Sequence, residues 1–345
     1  MWALLLIANV VACGDDLTTI PLDARVDASL DSSLVDRVDD GSVDAQTDAE
    51  VAAWRSETST NLPLQEIAAV TLDDQIYVFG GFESDGGGFP NVVATVQIYN
   101  TSTQSWSAGP ALPGPRHHIM VTTDGANIYA IGGMSNRSFD LVNTAWVLRP
   151  GEESWESLQS LPEPRAAGVA GVICDKIYVA AGQGRGGRLA DSTLVFDLSL
   201  GTWGTEAGIA EPREHTYGFV HDDELWVVGG RMNSLSSNST RVEIFSPVSG
   251  QWRDGPPLRT ARGGHGVALL DGVAYAIGGE QRDRALTDAE RLVIGPGATW
   301  EPIDPLPTPR HGHAQAAAAG KIFVIGGADR PIFAAVNKVD SFQPR

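Results

Sequence analysis

Tryptophan returns along this 345-residue chain at Trp54, Trp106, Trp155, Trp203, Trp252 and Trp300, at intervals of 52, 49, 48, 49 and 48 residues. So even a spacing means one supersecondary unit repeated six times, each copy burying its apolar face by stacking on its neighbours. Other residues keep the same register. An arginine stands ten residues after each of the last five tryptophans (Arg116, Arg165, Arg213, Arg262, Arg310), and the final glycine of an apolar run lies seventeen residues beyond each arginine. After Trp54 the tenth residue is Leu64, with Gly81 seventeen further on, so the register holds in all six copies while one lacks the arginine.

The apolar runs are QIYVFGG, NIYAIGG, KIYVAAG, ELWVVGG, VAYAIGG and KIFVIGG, each preceded by a short turn such as LDD, HDD or LDG. A second apolar strand follows each of the first five, ending in Tyr99, Leu148, Phe196, Phe245 or Val293, seven residues before a tryptophan. Turn-rich stretches such as NTSTQS and SPVSGQ join it to the tryptophan strand, which makes a hairpin. Thirty-nine glycines and twenty prolines suit many short strands, and no long periodic helical segment is present.

A four-strand unit of about fifty residues with a glycine doublet and a spaced aromatic pair resembles the kelch repeat, and the resemblance covers roughly residues 52–345. Two departures are Ala181, which replaces the first glycine of the third doublet, and the residue seven before tryptophan, aromatic in three of five copies. The resemblance implies an all-β fold, a six-bladed β-propeller of four-stranded blades round a central channel. The last copy offers an arginine strand, a glycine-ended strand and a third near Val336–Phe342. Its tryptophan strand is expected from the other end, around Ala52–Thr58, so that the N-terminal strand closes the last blade and leaves no free edge. One domain over residues 51–345 follows.

The start of the chain, MWALLLIANVVAC, has an apolar run too short to span a bilayer but suited to an export signal. Val-Val-Ala-Cys-Gly resembles the lipobox of bacterial lipoproteins, although no Lys or Arg precedes the apolar run. Residues 1–13 are thus expected to be a signal peptide and Cys13 the lipidated residue. Residues 14–50 hold eleven acidic side chains against Arg25 and Arg37, which supplies -9 of the net charge of -19, and no aromatic. That composition predicts a disordered acidic linker. The expected location is the bacterial cell envelope, with membrane contact through the anchor alone. With Cys13 acylated, Cys174 is expected as a buried free thiol in a strand. The acidic charge and lack of a basic stripe exclude nucleic acid as a partner. A monomer is expected.

Six of the seven histidines lie within three residues of the periodic arginines: His117, His118, His215, His265, His311 and His313. In kelch propellers the strand beginning at this position is innermost, so the resemblance implies a ring of five arginines near one channel mouth. Each could bind carbonyls or acidic groups of the fold, or several could grip an anion, since the guanidinium fork matches carboxylates. The second use resembles kelch adaptors that hold acidic peptides and six-bladed sialic acid mutarotases. The ligand-binding candidates are Arg116, Arg165, Arg213, Arg262, Arg310, His118, His311 and His313. Glu214 and His215, with Glu211 nearby, are the local candidates for proton transfer. Strict strand alternation sends arginine+1 and +3 to one face and +2 to the other, so the histidines cannot all converge. No metal and no cofactor are therefore expected. No nucleophile elbow, P-loop or dinucleotide fingerprint is present. The reading is a binding module for a protein, or for an anionic saccharide or peptide. A carbohydrate isomerase of the mutarotase kind and a cell-surface scaffold stand as alternatives. The loops after the glycine doublets, the first being longest at 18 residues from Gly81 to Tyr99, are the expected seat of specificity.

Overall fold

A computed structural model describes residues 53–84 and 90–344; the expected signal peptide, Cys13 and the acidic stretch 14–50 lie outside them. Six four-stranded antiparallel sheets form, one per repeat, and the propeller unit runs from Val51 to Arg345. Four blades use strands consecutive in sequence; in the first, Phe82–Glu83 and Asn91–Val92 intervene and form a small three-stranded sheet with Leu64–Gln65. In the sixth, Ala53–Ser56 pairs with Val339–Gln343, which pairs in turn with Lys321–Ile325 and that with Ala314–Ala318. Trp54 faces Phe342 in this closure, as the count of strands required.

The first strands of the blades are Ala68–Leu72, Met120–Thr123, Val169–Ile173, Tyr217–His221, Gly266–Leu270 and Ala314–Ala318. Each neighbours the next round a closed cycle, so these six strands line the axis. The glycine-ended strands behind them, such as Glu224–Val228 and Lys321–Ile325, are buried on both faces over their last four residues, which explains their near-continuous apolar sequence.

Two sets of hydrogen bonds tie blade to blade and account for the periodic residues. In all six blades the second glycine position donates its backbone N–H to the carbonyl at the arginine position of the next blade, at 2.7–2.8 Å: Gly81 to Arg116, Gly133 to Arg165, Gly182 to Arg213, Gly230 to Arg262, Gly279 to Arg310 and Gly327 to Leu64. The contact explains the doublet. At Gly132, φ is +60° and a Cβ would stand 2.0 Å from the Arg165 carbonyl oxygen. At the periphery each tryptophan indole donates to a carbonyl of the preceding blade, from Trp106 to Thr58 at 2.8 Å through to Trp54 and Asp304 at 2.9 Å. The ring packs on the aromatic seven residues before it: Tyr99 on Trp106, Phe196 on Trp203 and Phe245 on Trp252, with centroids 5.0–5.3 Å apart.

Cys174 corrects one expectation. It lies in the exposed turn after Val169–Ile173 with φ of +53°, not buried in a strand.

Candidate functional site

The five periodic arginines begin the inner segments, and their side chains turn into the blades. Arg165, Arg213, Arg262 and Arg310 are fully buried and Arg116 is nearly so. Arg262 donates to the Gly278 and Asp288 carbonyls at 2.8 Å and to Glu290 at 2.6 Å. Arg310 meets Asp340 at 2.9 Å, Arg213 meets Glu243, and Arg165 meets Glu163 and Ser192. Arg116 bonds Thr144 at 3.0 Å and lies over the Trp146 ring at 4.5 Å. These guanidinium groups direct their terminal NH groups into their own blades, four of them onto a carboxylate, as a buried cation requires, while the buried Nε of Arg116, Arg165 and Arg310 has no hydrogen-bond partner.

Two residues beyond each arginine position the backbone turns left-handed in every blade: Glu66 (φ +54°), His118 (+52°), Ala167 (+57°), His215 (+48°), Gly264 (+62°) and Gly312 (+55°). This turn breaks the strand alternation assumed from sequence, so +2 side chains of separate blades meet over the channel. A chain of backbone bonds links them round the axis: Gly312 N to Gly264 O at 2.8 Å, Gly264 N to His215 O at 2.9 Å, Ala167 N to His118 O at 3.0 Å, His118 N to Glu66 O at 3.1 Å and Glu66 N to Gly312 O at 2.6 Å.

On this ring sits a polar cluster. His118 Nε2 is 3.1 Å from Glu66 Oε2 and 2.8 Å from His215 Nε2. His215 Nδ1 contacts the Glu214 carboxylate, whose other oxygen accepts from Arg231 Nε at 2.8 Å. Arg231 also donates to Glu280 at 2.5 Å and to His215 Nε2 at 2.9 Å. His311 Nδ1 lies 3.5 Å from Glu280 and 3.8 Å from Glu66. Behind His118, His117 Nδ1 is 2.5 Å from His118 Nδ1 and its Nε2 faces the Asn136 carbonyl at 3.0 Å. Burial alone would raise the Glu66 carboxyl, but the charge and hydrogen bond of His118, with His215 and His311, hold it well below the usual range. Burial, Arg231 and His118 keep the His215 imidazole neutral far below its ordinary value. Burial and His118 push His117 down to about 3.

The cluster floors a cavity of about 210 Å³ walled by Phe82, Phe139, Leu235, Ile332 and Phe333. Phe82 packs on His117 at 4.1 Å and on Phe333 at 5.1 Å, so the apolar wall and the imidazole floor are one packed unit.

The KLHDC2/KLHL20/DRC7 Kelch-repeats domain family matches residues 44–230, and a further Kelch motif matches residues 219–259. The chain belongs to the kelch-repeat family. Among its kelch relatives, the kelch-like protein terF of Aspergillus terreus is 28% identical over 65% of this chain and 52% of its own length. Human kelch-like protein 23 is 26% identical over 67% of this chain and 41% of its own length, and Limulus polyphemus beta-scruin 25% over 57% and 22%. The chain thus spans about half the length of these relatives or less.

Within the kelch wheel the candidates named from sequence separate. His118, His215, Glu214 and His311 come together at the mouth. His265 and His313 do not: fully buried, each packs against the glycine doublets, with the His313 Cβ facing Gly327 and its ring facing Gly278. Glu66, Arg231 and Glu280 went unnamed. Glu66 was findable, because it stands two residues after Leu64, the residue in the arginine position of the first blade. Arg231 and Glu280 each follow a glycine doublet, and they bridge to Glu214 and Gly263, the residues just after the arginines of their own blades.

Proposed function

We propose that this kelch propeller is an exported, lipid-anchored binding module that engages a protein partner at the mouth above the +2 ring. Kelch homologues typically serve as protein-interaction modules, which supports the class. One observation carries the choice of surface. Phe139 (43% exposed), Met232 (43%) and Ile332 (70%) stand in the loops after the second, fourth and sixth glycine doublets, on the same rim. Phe139 and Ile332 hold left-handed backbone at φ of +62° and +75°, a costly conformation for such side chains. Displayed apolar groups on strained loops beside a cavity are the mark of a docking surface. The occupant is a segment with an apolar side chain for the Phe82–Phe333 wall. An anionic ligand would compete with Glu214 and Glu280 for Arg231, the guanidinium lining this cavity.

A photoreactive phenylalanine analogue placed at Ile332 or Phe139 should give a discrete cross-linked species in cells, and one at exposed Val248, in a hairpin turn, should not. Equal cross-linking from all three positions overturns the assignment. Export rests on the apolar run before Cys13, and anchoring on the lipobox resemblance. An intact mass of the membrane-extracted protein that lacks acyl chains on Cys13 overturns the anchor.

A second reading has its own observation. Glu214 orients the His215 ring from Nδ1 and leaves Nε2 beside Glu66 and His118, an arrangement able to move a proton on a bound sugar. Accelerated anomer exchange of sialic acid, followed by NMR, would establish it, and an unchanged rate removes it.

A further inference from the structure

Hydrogen-bond accounting at the +2 ring finds acceptors that face each other at His118, His215 and Glu66, with Arg231 the one cation beside them. His117 Nε2 faces the Asn136 carbonyl at 3.0 Å, so its proton is on Nε2 and its Nδ1 is a lone pair. In the neutral His118 ring, Nδ1, 2.5 Å away, then donates to it and Nε2 is a lone pair; a second proton there, donated to Glu66, is what a metal ion would replace. His215 Nδ1 faces the Glu214 carboxylate and carries its proton there, so His215 Nε2 is also a lone pair. Glu66 Oε2 is buried, and the nitrogen that faces it is His118 Nε2 at 3.1 Å. Three electron-pair donors therefore point at one another, separated by 2.8 Å (His118 to His215), 3.1 Å (His118 to Glu66) and 4.0 Å (His215 to Glu66).

We propose that Glu66 Oε2, His118 Nε2 and His215 Nε2 form a site for one divalent transition-metal ion, of the Cu(II) or Ni(II) class. The circumcentre of a triangle with those three sides lies about 2.0 Å from each corner, the length of a metal–imidazole bond. Because the longest side is nearly twice that radius, His215 and Glu66 stand almost opposite each other, with His118 close to a right angle from both. Three corners of a square plane suit Cu(II) or Ni(II) better than tetrahedral zinc.

The surroundings fit. Each ligating imidazole donates its other N–H to a fixed acceptor, His215 to Glu214 and His118 to His117, the outer arrangement that orients metal-binding histidines. Charge points the same way. With the imidazoles neutral, Glu66, Glu214 and Glu280 face Arg231, so the buried cluster carries two uncompensated negative charges; one proton taken up by the cluster cancels one, and a divalent ion cancels both. Arg231, 2.9 Å from His215 Nε2, is the group the ion displaces, and it keeps its bonds to Glu214 and Glu280. His311 Nδ1 and Glu280 Oε2, 3.5 Å apart, stand ready to accept from a water on the ion. The mouth cavity gives access from solvent. The site is independent of the docking proposal, which rests on the rim.

The test uses the full chain, stripped with chelator and titrated with copper(II) sulfate alone. The expected result is one equivalent bound, an axial electron paramagnetic resonance spectrum with splitting from two imidazole nitrogens, and a raised melting temperature. Glu66→Gln and His118→Asn each weaken binding at least a hundredfold without lowering the melting temperature in chelator. Glu214→Gln weakens it about tenfold to a hundredfold, as expected for a group that orients a ligand. If a variant fails to fold, 15N-histidine labelling of the wild-type protein supplies the same answer, since the splitting must change. Absence of stoichiometric copper, or a spectrum unaltered by the label, overturns the site and leaves a shared proton between the three acceptors. Cross-linking at Ile332 would survive that result.

Discussion

His313 should make the propeller acid-labile by an amount the structure fixes. Its ring is fully buried in a slot bounded by Gly266, Gly278 and Gly327, and burial, with the charge of Arg310, pushes it down to about 3. In the unfolded chain the same imidazole titrates near ~6.5. The folded value is the lower one, so the unfolded state takes up the proton first. Stability from this group is complete above the unfolded value and is lost as pH falls from there toward the folded value. At pH 5 the loss is about 2 kcal/mol, and it would stay about 2 kcal/mol if the folded value were a unit higher, since the neutral ring dominates either way. Urea denaturation of wild type and His313→Gln at pH 7.5 and pH 5 isolates the term from other buried histidines. The variant, weaker at pH 7.5 through lost packing, should close on wild type by about 2 kcal/mol at pH 5. A stability difference that does not vary with pH refutes the reasoning, because the ring would then exchange protons equally in both states.

Trp54→Ala removes the ring that packs on Phe342 at 5.2 Å and the indole donor to Asp304, so it should open the closing blade at a cost of about 3 kcal/mol, read as a lower denaturation midpoint. Trp54→Phe should recover most of the packing and leave only the unpaired Asp304 carbonyl, about 1 kcal/mol, in the same assay. Ala181→Gly should stabilise the third blade by about 0.5–1 kcal/mol, because Ala181 holds φ of +57° where the other doublets place glycine. The converse change, Gly132→Ala, sets a Cβ against the Arg165 carbonyl and should cost about 3 kcal/mol or more by calorimetry.

The wheel could be read from sequence because its determinants are local and repeat. The glycine doublet, the arginine and the tryptophan each perform one geometric task per blade, so six copies in one register amount to six observations of the same constraint. Closure was equally legible, since a missing tryptophan strand at one end and a spare one at the other have a single joint solution. The site was less legible for two reasons. Arginine, read as a ligand grip, is consumed by the fold: Glu243, Glu290 and Asp340 arrive from the third strand of the same blade to pair with it. Such pairing depends on register within a blade, which repeat spacing shows only weakly. Alternation also fails at the +2 position. No sequence rule announces that Glu66, His118 and His215 adopt left-handed backbone, since Glu and His carry no preference for it as strong as glycine's.

That backbone also bears on which residues serve the fold and which do not. Gly264 and Gly312 occupy the +2 position in the fifth and sixth blades and complete the backbone ring without a side chain, at no steric cost. The architecture therefore asks nothing of a side chain there. Ala167 shows that strain by itself marks nothing, because it bears the same φ with only a methyl group. Glu66, His118 and His215 differ from Ala167 in polarity: each bears the left-handed penalty, of order 1 kcal/mol, and buries an ionisable group besides. Replacing all three by glycine should on these terms raise stability while emptying the floor of the mouth. On the metal-site proposal, side chains that cost the fold on two counts and meet at one point over the axis are kept for the ion they bind.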